Sequence, residues 1–172
     1  MRGCAAKTCM VHGMILYHGS NLEIRTPSLA YSRSSLDFGA GFYLTTDLEQ
    51  AEKWAHRITH VRQAGRPVIS VFDTDDERWS KLSILRFDSA DRAWLHTVVG
   101  YRTEQAAANG YDVITGPVAD DRTVDVIHQY IAGAFPEEIA LQLLLPLQFR
   151  DQWAMKTEAA LSALVWREST WP

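Results

Sequence analysis

The run Asp37-Phe38-Gly39-Ala40-Gly41-Phe42-Tyr43-Leu44-Thr45-Thr46-Asp47, taken with Tyr17-His18-Gly19-Ser20 upstream, decides how this chain is organised. Met14 to His18 is a short apolar run halted by Gly19-Ser20, which predicts a strand and a turn. Gly41 to Leu44 predicts a second strand. Thr46 with Glu49 three residues on forms a capping box, and Leu48, Ala51, Ala55, Ile58 and Val61 then recur at helical spacing until Gly65 and Pro67. Between the strands, residues 21–38 hold Pro27, Arg25, Arg33 and four serines. That composition predicts a long loop, and a long loop inside a compact domain usually carries function.

Working outward, Pro67–Asp73, Ser83–Phe87, Tyr111–Thr115 and Asp151–Met155 read as strands. Ser89 to Val99 puts Trp94, Leu95, Val98 and Val99 on one helical face, and a further helical turn is expected to stop at Asn109-Gly110. Asp120-Asp121 suits the N-terminus of a helix carrying Val124, Ile127 and Ile131. Pro136-Glu137-Glu138 opens another, running to Leu145-Pro146. Thr157 caps a last helix expected to pass through Leu161 and Leu164. Strands and helices mix without a regular βαβ rhythm, so the class is α+β. Residues 1–13 lack periodic apolar positions and read as a disordered leader, leaving one domain over 14–168.

Size and charge narrow the function. A chain of 172 residues fits one domain, and 47% hydrophobic with 22% charged residues is ordinary globular usage. Such a chain buries a sizeable core without metals or disulfides. Its net charge of −4 excludes a broad basic coat for nucleic acid. No apolar run approaches the ~20 residues of a membrane span, and the N-terminus lacks the apolar stretch of a signal peptide. Cys4 and Cys9 both fall in the leader, where they cannot staple the fold, so a cytoplasmic setting is expected. There is no P-loop and no G-x-S-x-G, and Phe38 to Gly41 lacks the third glycine of a dinucleotide loop. His56 and His60 stand four apart with Glu52 a turn earlier, but Arg57 occupies the place of the zinc-protease glutamate. They read as an exposed polar helix face, and no metal is expected.

His18-Gly19-Ser20 and the Gly-x-Gly-Phe-Tyr strand together resemble the NAD-binding half of ADP-ribosyltransferases of the poly(ADP-ribose) polymerase and diphtheria-toxin branch. The likeness goes further with a bacterial domain family, long of unknown function, found beside small partner genes in toxin–antitoxin-like settings. Its motifs appear here in order as His18-Gly19-Ser20, Asp37 to Asp47, Gly116 to Asp121, and Gln152 followed by Thr157 to Leu161. They span residues 15–166.

The resemblance implies a split antiparallel β-sheet with flanking helices, NAD as co-substrate, and no metal. It implies that His18 bonds a ribose hydroxyl on the adenosine side and that the Gly19 backbone grips the carboxamide, with Ser20 beside it. Tyr43 would lie against the nicotinamide ring, with Trp54 as a second stacking aromatic. Gly39 and Gly41 would let the strand approach the ligand, and Arg33 or Arg25 would meet the pyrophosphate. The third catalytic position, a Glu in the polymerases, aligns with Gln152; Gln148 and Glu158 are rivals. A glutamine accepts a hydrogen bond but cannot ionise. That argues against chain elongation and leaves transfer of a single ADP-ribose, NAD hydrolysis, or NAD binding without turnover. The implied partners are a macromolecular acceptor, a protein first, and a small antitoxin.

Each residue also has a plainer reading. His18 can be a strand-end structural histidine, and Tyr43 and Trp54 core aromatics. Asp120 and Asp121 can cap a helix. Arg57, Arg62 and Arg66 can form no more than a local basic stripe.

Overall fold

The computed structural model describes residues 13–32, 36–104, 110–118, 121–144 and 150–172, with the side chain of Asp121 outside that set. Several expectations therefore lie outside the described residues: most of the leader with Cys4 and Cys9, the roles of Arg33, Asp120 and Gln148, and the helix ends at Asn109 and Leu145-Pro146.

The described elements run β1 (Ile15–Ser20), β2 (Phe42–Leu44), α1 (Leu48–Arg62), β3 (Val68–Thr74), α2 (Asp76–Trp79), β4 (Ile84–Arg86) and α3 (Arg92–Arg102). They continue with β5 (Val113–Pro117), α4 (Asp121–Ile131), α5 (Glu137–Leu144), β6 (Asp151–Met155), α6 (Glu158–Ser162) and β7 (Leu164–Thr170). The class is α+β, built on two sheets ordered β1-β3-β7 and β2-β6-β5-β4. Every pairing is antiparallel except β4 with β5, which is parallel. The wholly antiparallel sheet expected from sequence is corrected there. The chain returns from β4 through α3, and a crossover of that kind delivers a parallel neighbour.

The sheets touch at one isolated bridge, Tyr17 with Thr45. Between them lies a core of Leu16, Phe42, Leu44, Phe72, Trp153 and Met155. A second core covers the other face of the second sheet, where Phe38, Trp94, Leu95, Ile114, Ile127 and Ala154 meet α3, α4 and α5. α1 lies on the first sheet with Ala51 against Ile69 and Val71.

Three local expectations change. Asp47, not Thr46, caps α1, accepting from Gln50 N at 3.1 Å. Thr46 is spent on Asp151, to which its amide and hydroxyl both donate, tying β2 to β6. Leu48 and Val61, expected on the apolar stripe, are 42% and 69% exposed. α1 instead docks through Ala51 and Ala55, whose small side chains bring the helix backbone down onto β1. Finally, α6 stops at Ser162 and the chain becomes β7, where a helix through Leu164 was expected. β7 is an edge strand with only Leu164 buried, so its residues carry no apolar period.

Candidate functional site

The parting of β1 from β2 creates the site. Tyr17 N donates to Thr45 O at 2.8 Å, and Thr45 N donates back to Tyr17 O at 3.0 Å. In an antiparallel ladder a residue's N–H and C=O point to the same side, and the sides alternate. Gly19, two residues past Tyr17, therefore turns its N–H and C=O towards β2. Continuing the bridge register sets Gly19 opposite Tyr43, but the strands have separated and no described strand residue pairs with Gly19 on that edge.

His18 closes one side of the gap. Its Nδ1 lies 2.7 Å from Tyr43 O, and since a carbonyl only accepts, Nδ1 carries the proton. Burial pushes the His18 pKa down, the carbonyl contact opposes that, and the Arg62 cation adds to it. The ring is thus neutral at pH 7, with Nε2 left as a hydrogen-bond acceptor. It stacks on Phe42, with centroids 4.3 Å apart.

The Tyr43 side chain lies on the other face of β2. Its hydroxyl donates to Gly39 O at 2.7 Å and accepts from Phe38 N at 3.1 Å, which fastens the turn before β2 to the strand. Burial raises its pKa well above the ordinary phenol value, so it stays protonated. On that same face, Gln152 is 5% exposed and donates through Nε2 to Asp37 Oδ2 and to Pro117 O, each at 3.0 Å. Asp37 is held in turn by Arg102, whose Nε donates to Oδ1 at 3.1 Å.

The three expected catalytic residues are not brought together as three side chains on one face. Tyr43 and Gln152 share a face and the Asp37 neighbourhood. His18 reaches Tyr43 from the opposite face, through the backbone carbonyl. The reason is strand alternation: across the bridge, residue 43 aligns with 19 and 17, while 18 aligns with 42 and 44.

The remaining expected residues are placed as follows. Ser20 is buried at the end of β1. A side chain at Gly41 would come 3.0 Å from Met155 O, and one at Gly39 would come 2.5 Å from the Tyr101 ring. Their smallness is used by protein neighbours, which corrects the expectation that it serves ligand approach. Trp54 stands half-exposed on α1, with the Arg57 guanidinium 5.9 Å from its ring centre. Glu158 is exposed in the first turn of α6. Arg25 lies over the Trp166 ring at 4.8 Å and pairs with Glu23, so it is engaged with the protein. Arg62 donates to Asn21 Oδ1 at 2.8 Å, and Arg66 lies over the Trp171 ring at 4.7 Å. His56 and His60 are exposed on α1, and among the described residues no group of three or more His, Cys, Asp or Glu is placed to hold a metal ion. None of the described helices is long and apolar enough to cross a membrane.

Sequence reasoning gave no role to Asp37, Arg102 or Lys156. The Lys156 ammonium donates to the Phe38 and Ala40 carbonyls and lies 4.7 Å from the Tyr101 ring centre. Burial brings its pKa down to about 8. The only signal was the acidic residue opening the Asp37–Asp47 run, because Arg102 is 65 residues from its partner.

Fold and site together define an α+β protein whose two sheets part at one bridge, leaving the Gly19 edge of β1, buried beneath α1, between a neutral histidine and a tyrosine. The chain belongs to the family described as "Protein of unknown function (DUF3990)", whose model matches residues 14–166. No curated protein and no solved structure matches it.

Proposed function

We propose that this protein is an NAD-dependent mono-ADP-ribosyltransferase. One feature carries the reading: strand alternation from the Tyr17–Thr45 bridge turns the N–H and C=O of Gly19, which pairs with β3 on its other edge, towards Tyr43, beside the neutral His18 ring. A carboxamide has one acceptor and one donor side, so it completes the pair of hydrogen bonds that the edge leaves open. The nicotinamide ring would then lie by Tyr43, and His18 Nε2 would accept from a ribose hydroxyl. Gln152, with both amide hydrogens committed, has only acceptor capacity for the second ribose.

In the reaction the bond from ribose C1′ to the nicotinamide nitrogen breaks, and nicotinamide leaves as a neutral base with the bonding pair. A lone pair on the acceptor forms the new bond to C1′, and the acceptor's proton passes to solvent. The enzyme's contribution is to hold both ends of a cationic transition state in place. The resemblance to the polymerase and toxin branch supports a protein acceptor and a role as the toxin of a toxin–antitoxin pair.

The test is incubation with adenylate-labelled NAD and bacterial lysate, measuring nicotinamide release and label on macromolecules. Label on a protein is expected, and His18→Ala should abolish it. No released nicotinamide and no transferred label would overturn the proposal. Because Gln152 cannot take a proton from an acceptor, hydrolysis is the second reading; free ADP-ribose without labelled macromolecule selects it. NAD binding without nicotinamide release would mark a non-catalytic module.

A further inference from the structure

We infer that Asp37 is the positioning residue for Gln152, fixing its amide so that the carbonyl oxygen, not the NH2 group, is presented to the substrate. This deepens the NAD-cleaving reading and rests on it. The side-chain amide of a glutamine has a donor end and an acceptor end of nearly equal size, so its neighbours decide which way it points. Here those neighbours are a carboxylate oxygen of Asp37 and the backbone carbonyl of Pro117, each 3.0 Å from Nε2. Both can only accept, so only the NH2 end fits between them. Asp37 cannot turn away, because Arg102 holds its other oxygen and the side chains are 7% and 15% exposed.

The same geometry accounts for a glutamine where the polymerase branch carries a glutamate. A glutamate carboxylate in place of the Gln152 amide would face two acceptors and stand about 3 Å from a second carboxylate, an arrangement that forces the pair to share one proton. The charged and titratable groups around the pair include Tyr43 from β2, Tyr101 and Arg102 from α3, and Lys156 just past β6, whose ammonium donates to the Phe38 carbonyl next to Asp37 and titrates alike in all four proteins. His128 from α4 stands behind them, with Nε2 3.4 Å from Arg102.

Four proteins test this: wild type, Asp37→Asn, Gln152→Glu, and the double variant. Each is assayed for NAD cleavage, giving kcat and KM, and for melting temperature, from pH 5 to 9. Asp37→Asn lets the amide turn, so kcat should fall about 10–100-fold with KM little changed, the signature of a misplaced contact. Gln152→Glu should approach wild type in acid, where the shared proton restores a donor towards Asp37, and lose turnover and melting temperature as pH rises. Adding Asp37→Asn should remove that pH dependence, because the asparagine can donate to the new carboxylate. An unchanged kcat in Asp37→Asn, or a Gln152→Glu melting profile parallel to wild type, overturns the inference. If the wild type releases no nicotinamide, the NAD reading alone fails. The melting series then decides the pairing, which a pH-dependent drop reversed by Asp37→Asn supports and a parallel profile overturns.

Discussion

Replacing Arg102 with Met strips the guanidinium from Asp37 while keeping an unbranched side chain of similar reach. The ion pair is enclosed, with side-chain exposures of 15% for Arg102 and 7% for Asp37. Breaking such a pair from one side costs roughly 3–5 kcal/mol, because the remaining charge is left buried. Gln152 still donates to Asp37, which places the expected loss at the lower end, about 3 kcal/mol. At about 2–4 °C per kcal/mol for a domain of this length, the melting temperature should fall by about 6–12 °C. Adding Asp37→Asn removes the orphaned charge and should recover most of that loss, giving a coupling of at least about 2 kcal/mol. Urea unfolding of the four chains in the cycle measures this, and the coupling should change little with salt because enclosed charges are poorly screened. An Arg102→Met loss below about 1 kcal/mol would mean that the pair is effectively solvated, as surface pairs are. The Asp37–Gln152 geometry would then lose its anchor.

Three further outcomes follow from other contacts. Gly19→Ala places a Cβ 2.1 Å from Ala51 O, a backbone atom of α1. It should cost about 1–3 kcal/mol in thermal unfolding and weaken NAD binding by calorimetry, since the open edge shifts with the helix. Tyr43→Phe removes the bond to Gly39 O and leaves Phe38 N without its acceptor. A loss of about 1–3 kcal/mol is expected, while the ring that would meet nicotinamide remains and NAD affinity stays close to wild type. Lys156 has its pKa brought down to about 8 by burial, against an ordinary 10.5. Between these values the unfolded chain binds the extra proton, so stability should rise with pH from about 8 to 10.5. Lys156→Met should erase that rise in a melting-temperature series.

The elements that sequence located well are those whose signals are local. The apolar run before His18 is a strand, though β1 continues through Gly19 and Ser20 where a turn was expected; Gly41 precedes a strand, and Thr157 caps α6, accepting from Ala160 N at 3.2 Å. Where the signal was local but ambiguous, tertiary structure chose. Thr46 and Asp47 both suited the helix start, and the claim of Asp151 on Thr46 left the cap to Asp47. β7 was illegible because an edge strand with one buried residue has no periodicity to read. In the site, residue types were visible but their facing was not. Whether His18 and Tyr43 share a face depends on the bridge register between two strands far apart in sequence. The Arg102–Asp37–Gln152 chain spans β6, α3 and the loop before β2, and each link is long-range.

The single bridge between the sheets has one more consequence. An open strand edge is a template that recruits whatever offers peptide-like hydrogen bonding, and proteins normally blunt it. Here the unpaired edge at Gly19 is short, because β1 ends at Ser20 and α1 covers its flank. A whole foreign strand finds no room to zip up there. Recognition at that point is written in main-chain atoms, so side-chain changes around the gap would alter affinity without erasing what the gap selects. Only a substitution that removes the N–H itself, such as Gly19→Pro, would do that.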